Sequence, residues 1–249
     1  MSSSVWVAVG LLLLVVAVGL MTTLVVQANV KSTLRTMQGT SRRHAVIRTV
    51  RREPMVQVID RFLSPEECKH LIHLASPLLK RSTVLGKPQI TSSARTSSTA
   101  YLPRSRDTIV RAIEERAAQF VHMPVENVEA LQVVKYMPGE LYEPHYDYFE
   151  GPYTDQLARG GQRRYTFFVY LTTVPESKVA PTHAGSTWFP KLDLHVEAVE
   201  GRAAFWHNCN MNVKTNKCVV DSKMLHGGTA PTKSTKYGLN IWVRERTFT

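Results

Sequence analysis

"RRYTFFVYLTTV", Arg163 to Val174, is crowded with β-branched and aromatic residues and contains neither glycine nor proline. Such residues suit the pleated, half-buried surface of a strand. Segments of the same character lie on both sides of it: "ALQVVKY" (130–136), "HVEAVEG" (195–201), "RAAFWH" (202–207) and "YGLNIWVRE" (237–245). Gly, Pro and Asn separate them and no helical period divides them, which predicts an antiparallel sandwich or jelly roll.

The part before these strands reads differently. "MVQVIDRFL" (55–63) alternates like a strand, and "SPEECKHLIHLA" (64–75) opens a helix with Ser64 as N-cap, Pro65 at the first helical position and Glu67 closing a capping box. Cys68, Leu71, Ile72 and Ala75 share one face, assigned to packing, while His70 and His73 have no partner at helical spacing and are read as surface residues. "DTIVRAIEERAAQF" (107–120) is a second helix capped by Asp107, with Ile109, Ile113 and Phe120 on its buried side. Between the helices, Gly86 to Arg106 is rich in Ser, Thr and Arg without an apolar period, and reads either as a mobile loop or as a loop covering a substrate site. The fold class is therefore α+β: a jelly-roll core with N-terminal supporting helices.

Composition places the chain among globular proteins, with 43% hydrophobic and 20% charged residues over 249 positions. The net charge of +11 is concentrated: seven of the 31 Lys/Arg fall in residues 31–52, where there is no acid, leaving 24 basic residues against 20 acidic ones elsewhere. Aromatic and basic residues do not interleave as a nucleic-acid groove requires, so a nucleic-acid partner is not expected. Val5 to Val26 carries no charge and is long enough to cross a bilayer as a helix. The division predicted is a transmembrane signal anchor over 1–28, a basic stem over 29–53 and one folded domain over 54–249. Of the three cysteines, Cys209 and Cys218 bracket a short segment that a disulfide could close, with Cys68 apart from them.

"YEPHYDYFEG" (142–151) sets His145 and Asp147 two positions apart, on one face if the stretch is extended. His226, in "SKMLHGGTAP", is the natural third ligand from a distant strand. Two His and one carboxylate on one face of a metal leave positions open for a cosubstrate and oxygen, a pattern that favours non-haem Fe(II). Lys236 begins the last strand and could reach into the same mouth, where a buried ammonium is tolerated only opposite an anion. A dicarboxylate spanning metal and lysine would supply that anion.

With these residues goes a wider likeness. "RTSS", "LQVVKYMPGELYEPHYDYF", "GGQRRYTFFVYL", "STWFP", "EGRAAFW" and "LHGGTAPTKSTKYGLNIWV", in that order between Pro54 and Arg244, resemble the prolyl 4-hydroxylase family of 2-oxoglutarate- and Fe(II)-dependent dioxygenases. The resemblance implies a double-stranded β-helix with His145, Asp147 and His226 as iron ligands and Lys236 pairing with 2-oxoglutarate, helped by Tyr136 and Thr166. It implies that Arg163 and Trp242 face a peptide, with Arg95 and Ser97 in the substrate loop. Expected cofactors are Fe(II), 2-oxoglutarate, O2 and L-ascorbate. The expected reaction is hydroxylation of peptidyl proline to 4-hydroxyproline, releasing succinate and CO2. The chain departs from the family at Ala184 and Ser186, where Gly and Glu are usual, at Arg202, where an acid is usual, and at Thr229 and Ala230, where Cys-Pro is usual.

Other readings compete: a membrane-tethered jelly roll that binds without oxidising, a hydroxylase of another peptidyl residue, or a zinc hydrolase. Retention of the three ligands with Lys236 and Arg163 argues against the first, and the absence of a placed Glu base argues against the last. His183 and His207 match no ligand position. The family analogy predicts the endoplasmic reticulum or Golgi membrane with a lumenal domain, whereas the basic residues after the span predict a cytosolic one by the positive-inside rule.

Overall fold

The computed structural model describes residues 45–83, 94–151, 153–175, 183–212, 214–215 and 217–249. In chain order, strands β1 (Val46–Arg51) and β2 (Val56–Asp60) precede helix α1 (Pro65–Ala75). Strands β3 (Lys80–Arg81) and β4 (Ser98–Leu102) follow, then helix α2 (Thr108–Phe120), β5 (Leu131–Tyr136) and β6 (Tyr142–His145). After the short helix α3 (Thr154–Ala158) come β7 (Arg163–Tyr170), β8 (Thr187–Phe189), β9 (Leu194–Val196) and β10 (Ala203–His207). The chain ends through β11 (Cys209–Asn212), β12 (Lys217–Val220), β13 (His226–Gly228) and β14 (Lys236–Arg244).

Eight strands form one sheet in the order β1-β2-β10-β7-β14-β5-β4-β3, and four form a second in the order β6-β13-β8-β9. Side-chain alternation sorts the large sheet into two faces. Leu131, Val133, Phe167, Val169, Ala203, Phe205, Leu239 and Ile241 join Leu71, Ala75, Ile113 and Ala117 of the helices in one buried cluster. The intervening positions, Val134, Tyr136, Phe168, Tyr170 and Trp206, form a second cluster with Phe189 and Val196 of the small sheet. This is the jelly-roll sandwich, with helices on one outer face.

Both long helices start as their sequences dictate. Ser64 and Glu67 form the reciprocal capping box of α1, and Asp107 accepts from the backbone N–H groups of Ile109 and Val110 at α2. His70, read as a surface residue, bonds through Nε2 to Asp107 at 2.8 Å and so ties the two helices together.

Two boundaries differ from those expected. Residues 46–51, assigned to the basic stem, pair with β2 as the sheet's edge strand, so the folded body begins at Ala45 rather than Pro54. Every side chain of β1 is exposed, so the apolar pattern that marks a half-buried strand is missing and only backbone pairing reveals it. Within the expected loop, residues 98–102 form β4, with Ala100 and Leu102 buried and Tyr101 exposed. Residues 84–93 of that loop lie outside the described residues. So do the apolar stretch Val5 to Val26 and the first part of the stem; among the described residues no helix is long and apolar enough to cross a membrane.

Candidate metal centre

The antiparallel pairing of β6 with β13 sets His145 directly opposite His226. Gly227 permits this approach: a Cβ there would lie 2.9 Å from the Tyr142 carbonyl oxygen. Asp147 follows two residues beyond His145, and one ligand atom from each of the three side chains lies within 4.8 Å of the others. His145 Nε2 is 3.8 Å from Asp147 Oδ1, and His226 Nε2 is 3.6 Å from Asp147 Oδ2.

The far side of each imidazole is fixed. His145 Nδ1 bonds to the Glu143 carbonyl and His226 Nδ1 to the Met224 carbonyl, each at 2.9 Å. A carbonyl oxygen only accepts, so Nδ1 carries the hydrogen of the neutral ring and Nε2 turns its lone pair toward the centre. Burial, reinforced by the neighbouring His226, lowers the His145 pKa to about 3, so no proton must leave before it can ligate. Asp147 is ionised as well: burial opposes its charge, but the two imidazoles, Arg163 and the Trp242 indole together hold it down at about 2. Rings of Trp206 and Phe189 stand 4.5 and 5.8 Å from His226 and close the back of the site with apolar surface.

Lys236 opens β14 opposite Tyr136 in β5 and is fully buried. Among the described residues its Nζ has no hydrogen-bond partner, and it lies 4.9, 5.1 and 5.6 Å from the ring centroids of Tyr136, Phe168 and Tyr170. Burial lowers its pKa to about 7. A Cβ built on Gly228 would sit 3.8 Å from this Nζ and 3.6 Å from the Tyr136 hydroxyl, so both groups border the space beside β13, two residues from His226. A buried amine without a counter-ion next to a His/Asp/His donor set fits a dicarboxylate that also reaches the metal.

The other predicted site residues divide. Thr166 does not stand free for a cosubstrate: its hydroxyl donates to Asp147 Oδ2 at 2.8 Å. Trp242 likewise donates from Nε1 to that oxygen at 2.9 Å, while its ring lines the cavity. Arg163 makes a two-pronged ion pair with Glu129, at 2.7 and 2.9 Å, and its guanidinium lies 3.5 Å from the Trp242 ring centroid. Arg95 packs over the Tyr142 ring and, among the described residues, bonds neutral partners, Ser97, Thr83, Thr99 and Gln132, at 3.3–3.4 Å. Ser97 is fully buried and bonds Ser82. An open cavity of about 720 Å³ is lined by His145, Asp147, His226, Arg95, Arg163 and Trp242 among others.

Sequence reasoning overlooked Glu129, which holds both Arg163 and Arg244. Three charged residues spread over the chain carry no local signal of convergence. The bond between Cys209 and Cys218, left open by the sequence, is present, whereas Cys68 is a buried free thiol whose pKa burial pushes up to about 12.

Fold and site together define the class of jelly-roll oxygenases that use Fe(II) and 2-oxoglutarate: the sequence model described as "2OG-Fe(II) oxygenase superfamily" matches residues 131–244. The chain is 37% identical over 230 residues to "Probable prolyl 4-hydroxylase 10" of Arabidopsis thaliana, covering 86% of this chain and 77% of that protein. It is 34% identical over 217 residues to prolyl 4-hydroxylase 5 of the same plant, covering 79% and 70%. Among solved structures, the 2-oxoglutarate complex of the viral collagen prolyl hydroxylase from Paramecium bursaria Chlorella virus-1 superposes with a TM-score of 0.58 at 25% identity, covering 76% of this chain and 95% of the viral one. The chain belongs to the prolyl 4-hydroxylase family.

Proposed function

We propose that this protein binds Fe(II) through His145, Asp147 and His226, binds 2-oxoglutarate through Lys236 and Tyr136, and hydroxylates C4 of proline residues in a protein or peptide. The observation that carries the reading is a buried amine that has no counter-ion among the described residues, set beside two imidazoles and a carboxylate whose donor atoms converge. When bound, iron and 2-oxoglutarate supply the oxidising chemistry, in which O2 is consumed, succinate and CO2 leave, and one oxygen atom enters the prolyl C–H bond.

The chain's own residues orient these groups. Carbonyls of Glu143 and Met224 hold the imidazoles in the ligating tautomer, and Trp242 and Thr166 anchor one oxygen of Asp147 so that the other remains available. Tyr136, Phe168 and Tyr170 keep water from Lys236, so that a carboxylate is its best available partner. Arg163, locked by Glu129, stiffens the cavity wall at Trp242. Arg95, which has no carboxylate among its bonded partners, is the side chain best placed to meet a peptide.

The test is formation of succinate from 2-oxoglutarate with a proline-rich peptide, Fe(II) and ascorbate, together with detection of 4-hydroxyproline. Succinate without 4-hydroxyproline, on any proline-rich peptide tried, would remove proline as the substrate. No succinate at all would remove the oxygenase reading.

We further infer a single-pass anchor at Val5 to Val26 in the endoplasmic reticulum or Golgi membrane, with the domain in the lumen. The Cys209–Cys218 bond favours an oxidising compartment. The basic residues after the span favour the opposite side. A disulfide needs an oxidant and charge bias is only one determinant of topology, so the bond is given the greater weight. Protease protection of the domain in intact microsomes is the expected result, and digestion without detergent would reverse the orientation.

A further inference from the structure

Asp147 does not hold its own orientation, and the bonds that hold it lead to a residue outside the cavity wall. Asn208 occupies the junction between β10 and β11, is 2% exposed, and fixes its backbone by donating its N–H to the Arg164 carbonyl at 2.9 Å. Trp206 Nε1 donates to Asn208 Oδ1 at 2.8 Å. An indole N–H can only donate, so the amide oxygen must face Trp206 and the amide nitrogen must face the other way. There, Asn208 Nδ2 donates to Thr166 Oγ1 at 2.8 Å. A hydroxyl has one hydrogen; because Thr166 accepts from Asn208, its own hydrogen is directed to Asp147 Oδ2, 2.8 Å away.

We infer that Asn208 is a positioning residue for the carboxylate ligand: it sets the direction of the Thr166 hydroxyl, which holds Asp147 Oδ2 and leaves Oδ1 for the metal. The relay runs one way, Trp206 to Asn208 to Thr166 to Asp147, and each of its members is buried. In such a low-dielectric setting each bond polarises the next and an unsatisfied member is costly. Trp242 supplies the second donor to Oδ2 but comes from β14, the opposite side of β7, so it cannot replace the first. The inference rests on the reading of Asp147 as a metal ligand.

The experiment is a Co(II) titration of the full chain followed by visible absorption, with Asn208→Leu, which keeps the side chain's shape without its bonds, and Asn208→Ala as variants. His226→Ala is the control for the site. Wild type binds Co(II) with a spectrum of low symmetry, and His226→Ala does not. Both Asn208 variants bind about 10- to 100-fold more weakly, the range for loss of a group supporting a metal ligand, and their spectra shift. A merely structural role would lower the unfolding temperature without moving the spectrum. Thr166→Val breaks the relay one link on, so combining it with Asn208→Leu adds little further loss, whereas independent roles would add fully. A folded Asn208 variant with wild-type Co(II) affinity and spectrum overturns the inference while the metal site stands. If His226→Ala also binds Co(II) like wild type, the ligand assignment itself falls and this inference with it.

Discussion

His226 faces His145 across the β6–β13 pair with ring centroids 4.6 Å apart, and each ring is held from behind by the carbonyl of the residue two positions earlier. The same support from behind turns Nε2 of each ring toward the centre. Replacing either with alanine is expected to leave the fold intact, since neither ring supports the main core cluster, and to reduce Fe(II) binding and succinate formation to background. Turnover at the wild-type rate in His226→Ala would show that the centre lies elsewhere.

Lys236 makes cosubstrate binding depend on pH. Burial lowers the amine from its ordinary value of 10.5 to about 7. Below pH 7 the folded chain already carries the cation that a carboxylate needs. Above it the folded chain has released the proton, so binding must take one up, and affinity for 2-oxoglutarate is expected to fall about tenfold per pH unit. Stability without ligand runs the other way: between the lowered and the ordinary value the unfolded chain holds more protons, so stability rises with pH there while affinity falls. Anaerobic calorimetric titration with 2-oxoglutarate in Co(II)-loaded protein at several pH values measures this. Lys236→Met should bind weakly at every pH, and a flat wild-type profile from pH 7 to 9 would remove Lys236 from the binding site.

The large-sheet strands were legible because their two faces differ in chemistry. In β7, Phe167 and Val169 meet the helices while Phe168 and Tyr170 join the cluster with the small sheet, and the β-branched and aromatic composition announces such a strand. Strand β1 was not legible because all of its side chains are exposed and its partner is a backbone. The ligands were legible from spacing and chemistry, with His145 and Asp147 two apart and His226 on a neighbouring strand. What the supporting residues do was not. Thr166 and Trp242 look like cavity residues on a strand, and only the distances to Asp147 show that their polar atoms are already engaged.

Glu129 binds two arginines at once, Arg163 at 2.7 Å and Arg244 at 2.5 Å, with all three side chains nearly or fully buried. Burial alone would raise its pKa, but the two guanidiniums overcome this and hold it below the ordinary value of 4.5. Its contribution is therefore present above the unfolded-state value and is lost as pH falls through the lower folded-state value. Glu129→Gln leaves buried Arg244 without its paired carboxylate and Arg163 with only the less close Asp147, and is expected to cost about 3–5 kcal/mol, the range for breaking a buried pair by removing one partner. Urea unfolding at pH 7 measures this, and a loss below about 1 kcal/mol would mean that the arginines find other partners.

The disulfide ties β11 to β12 across a separation of 9 residues, and Tyr148, next to Asp147, donates its hydroxyl to the Cys218 carbonyl at 2.9 Å. Closing so short a loop restricts the unfolded chain modestly, by about 2–3 kcal/mol. Reduction or the double change Cys209→Ser with Cys218→Ser should therefore lower the unfolding temperature measurably without abolishing the fold. It should also lower turnover, because the hairpin that steadies Tyr148 loosens beside the carboxylate ligand. Cys68 gives the internal control: its thiol is buried in the core and its pKa is pushed up to about 12, so it should stay unmodified until the domain unfolds, whereas Cys209 and Cys218, also buried while bonded, should take iodoacetamide once reduction loosens the hairpin. Labelling followed by mass spectrometry, in parallel with succinate assays, separates the two effects. Undiminished turnover with both cysteines alkylated would show that the hairpin has no influence on the metal centre.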